Sequence, residues 1–367
     1  MRAPGAWERL WWAPRASWGE RLLLLPLAPA EGLFRAAAAA RGALHDTGIL
    51  SATRADVPVI SVGNLSVGGA GKTPVVLAIA ERLLAAGRRP AVLSRGYGAS
   101  RKDDRVVSDG ERVLLDAAEG GDEPVLLARR LPGLRVLCGS DRGALAGKAV
   151  ALGADLLLLD DGFQHRRLLR DLDVVVLDAA NPWGNGHCLP RGPNREPPSA
   201  LGRAGLVWLG HADRASPEGL EGLRQLALRL TGRAPVESRH APRDLVDGRL
   251  ARRFPLQDLA GRRVGLLTGV ARSGSVQRTV EELGSLVVRA FAFPDHHRFT
   301  EREAAEALDA TSRAGASHLV TTEKDAVRLP PGSAGDDRFR VVRIDAEVVA
   351  GAQELQASLD GACQGRG

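Results

Sequence analysis

The stretch Val57 to Thr73 reads VPVISVGNLSVGGAGKT, and its reading decides the fold. It opens on an apolar, β-branched run, Val57, Val59, Ile60 and Val62, of the kind a buried strand uses. A glycine-rich turn follows, with Gly68, Gly69 and Gly71. Then come Lys72, Thr73 and Pro74, leading into VVLAIAERLLAAG, apolar at helical spacing and stopped by Gly87. Pro74 falls early in that helix, where a missing N–H costs little. Strand, glycine loop, Lys-Thr and helix is the order of a phosphate-binding loop, G-x-x-x-x-G-K-[ST]. The backbone of Ser66, Val67, Gly68, Gly69, Ala70 and Gly71 can curl its N–H groups around phosphate oxygens, with the positive end of the helix dipole behind them. Lys72 would then reach the β- and γ-phosphates of a nucleotide, and the Thr73 hydroxyl would ligate Mg²⁺. Ser66 stands where that pattern has glycine.

The 367 residues suffice for two domains and a large core. With 44% hydrophobic and 26% charged residues the chain is globular in composition rather than disordered. The net charge of +6, carried almost wholly by arginine, suits an anionic partner, although an Arg-rich composition alone could produce it. Cys138, Cys188 and Cys363 are too scattered for a disulfide framework or a metal site, which suits a reducing compartment.

Around the loop, strands and helices alternate. Pro90–Ser94 reads as a strand ending at Arg95, a candidate phosphate contact. Asp155 to Asp161 reads DLLLLDD, a buried strand delivering Asp160 and Asp161 at its C-terminal end, where phosphate-loop enzymes hold Mg²⁺. DVVVLD (173–178) and LVWL (206–209) supply two more strands. The expected fold is therefore α/β, a phosphate-loop NTPase-like, mostly parallel sheet with helices on both faces, over residues 46–235. Between those last strands lies a Gly- and Pro-rich segment, 181–201, carrying Arg191, Arg195 and Glu196. Residues 236–260 are Arg-rich with weak strands and read as a linker. Residues 261–367 read as a smaller α/β domain contributing the turn PDHH, with His296 and His297. Adjacent histidines on an extended chain point to opposite faces, so one of the two is expected to reach a site. Asp122, opening a helix at GDEP, reads by itself as a helix cap.

The first 45 residues are a separate expectation. Trp7, Trp11, Trp12 and Trp18 interleave with Arg2, Arg9, Arg15 and Arg21, followed by Leu22 to Leu25 and Leu27. Pro26, Pro29, Glu31 and Arg35 break the apolar run, so the sequence predicts an amphipathic segment lying in a membrane interface, packed on the first domain, rather than a span or a signal peptide.

Taken in order, SVGNLSVGGAGKTP, LSRGYG, GDEP, DDGFQH, WGNG with LPRGPNREP, LTGVAR, FPDHH and TTEKDA resemble the tetraacyldisaccharide 4′-kinase family of Gram-negative bacteria, from about Trp18 to Arg328. The family's own loop carries a serine at the Ser66 position. Asn194 is a departure, because the family usually has an apolar residue there. The resemblance implies transfer of the ATP γ-phosphate to the 4′-hydroxyl of tetraacyldisaccharide 1-phosphate, giving the bis-phosphorylated lipid A precursor. It implies peripheral attachment at the cytoplasmic face of the inner membrane, through the N-terminal segment, and no protein partner. It also implies that Asp122 is the base, helped by His296 or His297, and that Arg195 and Glu196 belong to the site; Gln164 and His165 lie just beyond the Mg²⁺ carboxylates. A nucleotide-dependent switch or partition-type ATPase is the competing reading. Its usual extra lysine before the two glycines is Val67 here. Nucleic-acid binding is not expected, since no recognition-helix pattern or aromatic-studded basic face is present.

Overall fold

The computed structural model describes residues 6–13, 18–96, 99, 103–270 and 273–364. Tyr97 and Gly98 of LSRGYG, Ala271 and Arg272 of LTGVAR, and the N-terminal Arg2 and Arg15 lie outside them, as do the side chains of Trp7 and Arg21. The strands are Val59–Gly63 (β1), Pro90–Ser94 (β2), Arg105–Asp109 (β3), Arg135–Cys138 (β4), Leu156–Asp160 (β5), Leu172–Asp178 (β6), Leu206–Gly210 (β7), Val236–Val246 (β8), Arg253–Phe254 (β9), Arg263–Thr268 (β10), Leu286–Ala292 (β11), His318–Thr322 (β12) and Phe339–Ala350 (β13).

Tertiary contacts divide the chain into two units. One comprises residues 3–95, 139–240 and 346–367; the other comprises 1–2, 96–138 and 241–345. The first unit holds the phosphate loop. Its strands run in the order β7-β6-β1-β5-β2, all parallel. Every residue of β1, β2, β5 and β7 is buried, the burial pattern of a sheet covered on both faces. Phe163, Leu65, Val175, Leu177 and Leu209 form a core at one end of this sheet. The second unit has β11-β10-β12-β13 in parallel, with β3 and β4 paired antiparallel. Phe299, Leu267, Leu308, Phe339 and Val341 fill its core. The mostly parallel α/β fold expected from the alternation is the fold observed.

The contacts cut the chain differently from the sequence boundaries at 235 and 260. Residues 96–138 group with 241–345 because helix Asp122–Arg130 is pinned there by buried charge. Arg130 donates to Glu323 at 2.6 Å and also pairs with Asp345. The stretch 236–260 is not a linker either: β8 is an eleven-residue strand, and β9 pairs antiparallel with its end, Leu245 opposite Phe254. Its arginines hid the strand, since Arg239 pairs with Glu347 at 2.8 Å and Arg243 with Asp345 at 3.1 Å, while Val236, Ser238, Leu245 and Val246 are buried.

The N-terminal apolar run also departs from expectation. Leu22–Asp46 forms a helical segment of 25 residues holding an 18-residue window of mean hydropathy 1.4, long and apolar enough by length and composition to cross a membrane. The prolines do not break it, because each falls in the first turn of its helical segment. Glu31 nevertheless ties this helix to the first unit: its buried carboxylate accepts from the Cys188 N–H at 2.9 Å and pairs with Arg191 at 3.4 Å.

The phosphate loop leaves β1 at Gly63, where a Cβ would stand 2.5 Å from Phe163 Cβ and 2.7 Å from the Phe163 backbone nitrogen. Gly63→Ala must therefore push the Asp160–Phe163 turn away from β1. We expect a destabilisation of about 1–3 kcal/mol, read as a lowered Tm; an unchanged Tm would contradict this close approach.

Candidate active site

In the first unit the loop ends at Gly71, which caps helix Lys72–Ala85 in the left-handed conformation (φ 78°) that lets the chain turn into the helix. Lys72 Nζ donates to Asn64 Oδ1 at 3.1 Å and pairs with Asp161 at 3.2 Å. Arg195 reaches the same carboxylate at 3.0 Å. Burial pushes the Asp161 carboxyl up, but Lys72 and Arg195 outweigh it and hold it below the usual carboxylate range. Asp161 itself sits at φ 55°, a strained conformation for a non-glycine residue. Gln164 joins the network, donating to Glu196 at 3.1 Å and to the Asn64 carbonyl at 3.0 Å. Glu196 is held by Arg203 at 2.7 Å.

The LPRGPNREP segment is docked directly on the loop. Ser66 and Asn194 form an antiparallel bridge, Arg195 N–H donates to the Leu65 carbonyl at 2.6 Å, and Val67 N–H donates to the Pro193 carbonyl at 2.7 Å. The Val67 N–H, expected among the phosphate donors, is engaged by the Pro193 carbonyl. Asn194, the departure from the family pattern, is buried and donates its amide to the Trp183 and His187 carbonyls at 2.9 Å each. Its polar side chain holds this segment in place. On the loop's other side a Cβ on Gly68 would meet the Trp12 ring at 3.3 Å, and Asn181 Nδ2 donates to the Trp12 carbonyl at 2.9 Å.

Asp160 is buried at the end of β5 and accepts from Ser94 Oγ at 3.2 Å; Thr73 is buried in the first turn of the loop helix. Among the described residues no three His, Cys, Asp or Glu side chains form a metal cluster. A hydroxyl with one or two carboxylates is nonetheless the donor set suited to Mg²⁺, which draws its other ligands from phosphate and water. Asp161, occupied by two cations, is the less available of the pair. Arg95 lies exposed just past β2, and His165 is lowered to about 4 by burial, with Arg142 and Arg95 adding to it, so its imidazole is neutral at neutral pH.

In the second unit Asp122 is buried and accepts from His296 Nδ1 at 2.9 Å, with Arg328 Nε 3.7 Å from the same oxygen. The hydrogen bond to Asp122 raises the His296 pKa above its ordinary value, against burial, which lowers it. His296 adopts φ 59°, and its N–H donates to the Gly269 carbonyl at 3.1 Å. Arg328, itself fixed by Asp325 at 2.7 Å, donates to that same carbonyl at 3.1 Å. His297 does not reach Asp122. It pairs with Glu303 at 3.0 Å and stacks on Phe293 with centroids 4.5 Å apart. As a cap, Asp122 is not seen: Gly121 is the capping residue of its helix and makes no side-chain cap. Asn64, Ser94 and Arg328 were not anticipated, since none lies in a pattern that announces its partner.

Comparison with known proteins identifies the family. The profile of the family described as tetraacyldisaccharide-1-P 4′-kinase (LpxK) matches residues 23–364. A tetraacyldisaccharide 4′-kinase of Anaeromyxobacter sp. (strain Fw109-5) is 66% identical over 97% of this chain and 96% of its own length. That of Syntrophus aciditrophicus is 42% identical over 88% and 89%. Among solved structures, LpxK from Aquifex aeolicus in complex with ATP superposes with a TM-score of 0.78 at 29% identity, covering 93% of this chain and 99% of that one. Matched by the family profile over residues 23–364 and by relatives along nearly its whole length, the chain belongs to the tetraacyldisaccharide-1-P 4′-kinase family.

Proposed function

We propose that the protein transfers the γ-phosphate of ATP to the 4′-hydroxyl of tetraacyldisaccharide 1-phosphate, yielding the bis-phosphorylated lipid A precursor. The family match over residues 23–364 carries this reading. The geometry supplies its chemistry. The loop backbone and Lys72 hold the triphosphate, and the Asn64 and Asp161 contacts keep the ammonium beside the loop. Thr73 and Asp160, with Asp161 beside them, would hold Mg²⁺, which offsets charge on the β- and γ-phosphate oxygens. Arg195, Glu196 and Arg95 line the approach to the phosphates.

Asp122 serves as the base. Its carboxylate orients the sugar hydroxyl and receives its proton late in a loose phosphoryl transition state. His296 fixes the carboxylate's direction through Nδ1, and Arg328 adds a permanent positive charge nearby.

A lipid acceptor needs a lipid-facing surface. Trp18 is 81% exposed, Leu23 67% and Leu33 75%, an apolar face on the N-terminal helices that suits an interfacial position. A cleft of about 330 Å³ lies between helix Ala28–Asp46 and the site, walled by Phe34, Ala37, Ala38 and Arg41 of the helix and by Arg166, Arg195 and Arg203 from outside it. Apolar and cationic walls in one cleft match an acylated, phosphorylated sugar. Attachment is peripheral in this reading, at the cytoplasmic face of the inner membrane, because Glu31 binds the helix to the first unit.

Three variants test it. Lys72→Ala should abolish measurable transfer in folded protein, and activity within a few-fold of wild type would refute the loop assignment. Asp122→Asn should lower kcat by about two to four orders of magnitude with ATP affinity unchanged. By NMR titration the same change should lower the His296 pKa. The sign follows from the raised value: the pair's contribution to stability is present below the ordinary histidine pKa and is lost as pH rises through the folded-state pKa. Near-wild-type kcat would return Asp122 to a structural role. Trp18→Gln with Leu23→Gln should weaken binding to anionic vesicles while ATP binding stays intact. Deletion of the whole segment is a poorer test, because it also removes Trp12 from Gly68.

A further inference from the structure

Beside the phosphate loop, three polar side chains that the transfer chemistry does not use run in a line through the first unit. Asp178 is the last residue of β6, His211 follows β7 directly, and His240 lies in β8. His211 Nδ1 stands 3.2 Å from Asp178 Oδ1, and His211 Nε2 stands 3.0 Å from His240 Nδ1, with the two rings 4.0 Å apart. Asp178 and His211 are buried, and His211 is held at φ 53°, ψ 38°, a left-handed conformation that costs a non-glycine residue energy. The far edge of His240 meets the loop. A Cβ on Gly71 would fall 3.1 Å from His240 Nε2 and 3.3 Å from Cε1.

The proton order along this line is fixed by its carboxylate end. With Asp178 as acceptor, His211 donates from Nδ1, its Nε2 accepts, and His240 donates from Nδ1. That order sets the orientation of the His240 ring and turns its Nε2–Cε1 edge to Gly71. The chain also lies toward the C-terminal ends of neighbouring parallel strands, the edge at which open α/β sheets bind ligands.

We propose that Asp178, His211 and His240 form a positioning chain for the nucleotide. It locks the His240 ring against Gly71 and thereby fixes the left-handed turn from which the loop's backbone N–H groups and Lys72 address the triphosphate of ATP. His240 is a positioning residue in this scheme, and the proposal rests on the reading of the loop as the ATP site.

The test is steady-state kinetics on the full-length protein with ATP varied at saturating lipid acceptor, together with direct ATP titration and a melting curve for each variant. His240→Ala should raise KM for ATP about tenfold or more, equivalent to about 1.4 kcal/mol of binding, while kcat at saturating ATP stays within about threefold. KM for the lipid should not move. His240→Gln, which keeps a polar group of similar reach against the loop, should recover much of the ATP affinity. Asp178→Asn, isosteric but unable to impose the proton order, should shift KM for ATP in the same direction, and it carries the test should His240→Ala fail to fold. An unchanged ATP affinity in folded His240→Ala or Asp178→Asn overturns the proposal, as does a lowered Tm with ATP parameters intact, which marks a structural cluster only. Lys72→Ala, run alongside, separates the two failures: if it too leaves ATP binding intact, the loop assignment itself is wrong.

Discussion

One carboxylate organises the phosphate loop of the first unit. Asp161 receives Lys72 from the phosphate loop and Arg195 from the segment that follows β6, and it does so from a strained left-handed position just past β5. Three stretches distant in sequence are thereby brought to one point. The strain is tolerated because the surroundings over-determine the turn. Gly63 lets β1 pass within contact of Phe163, and a Cβ on Gly162 would lie 2.7 Å from Ser61 Oγ, so both glycines are required by close approach. Two cations on one carboxylate leave net positive charge facing a site that binds a polyanion, which serves phosphate capture better than a neutral pair would.

The Asp122 cluster of the second unit is built on the same logic with different residues. Asp122 is directed by His296 and flanked by Arg328, and Gly269 accepts from both the His296 backbone and the Arg328 side chain. Asp325, fully buried, anchors Arg328 and accepts from the Gly269 N–H at 2.9 Å. A carboxylate gripped by a histidine and flanked by an arginine is held in one direction. This division suits phosphoryl transfer, in which positioning and charge outweigh covalent chemistry.

Sequence legibility followed locality. The phosphate loop could be read because strand, glycines, Lys72 and helix are contiguous and each has a local cause. The parallel sheet followed from alternation, and the paired aspartates from their place at a strand end. Asp122 was not legible by itself, since a helix-opening aspartate reads as a cap; only the ordered motifs of the family gave it another role. The choice between His296 and His297 depended on a turn at φ 59° that an extended-chain argument does not foresee. β8 was obscured by arginines whose carboxylate partners lie some hundred residues on. Asp178, His211 and His240 carry no pattern at all, since their spacings of 33 and 29 residues become neighbours only once β6, β7 and β8 are side by side.

The central claim is that this chain is a kinase acting on a lipid-borne sugar hydroxyl. The most direct measurement is incubation of the purified protein with γ-labelled ATP, Mg²⁺ and tetraacyldisaccharide 1-phosphate in detergent micelles, followed by ³¹P NMR of the lipid. The expected result is a new phosphomonoester on the distal sugar at the 4′ position, formed in step with ADP. Label released only as inorganic phosphate, with the lipid unchanged, would contradict it.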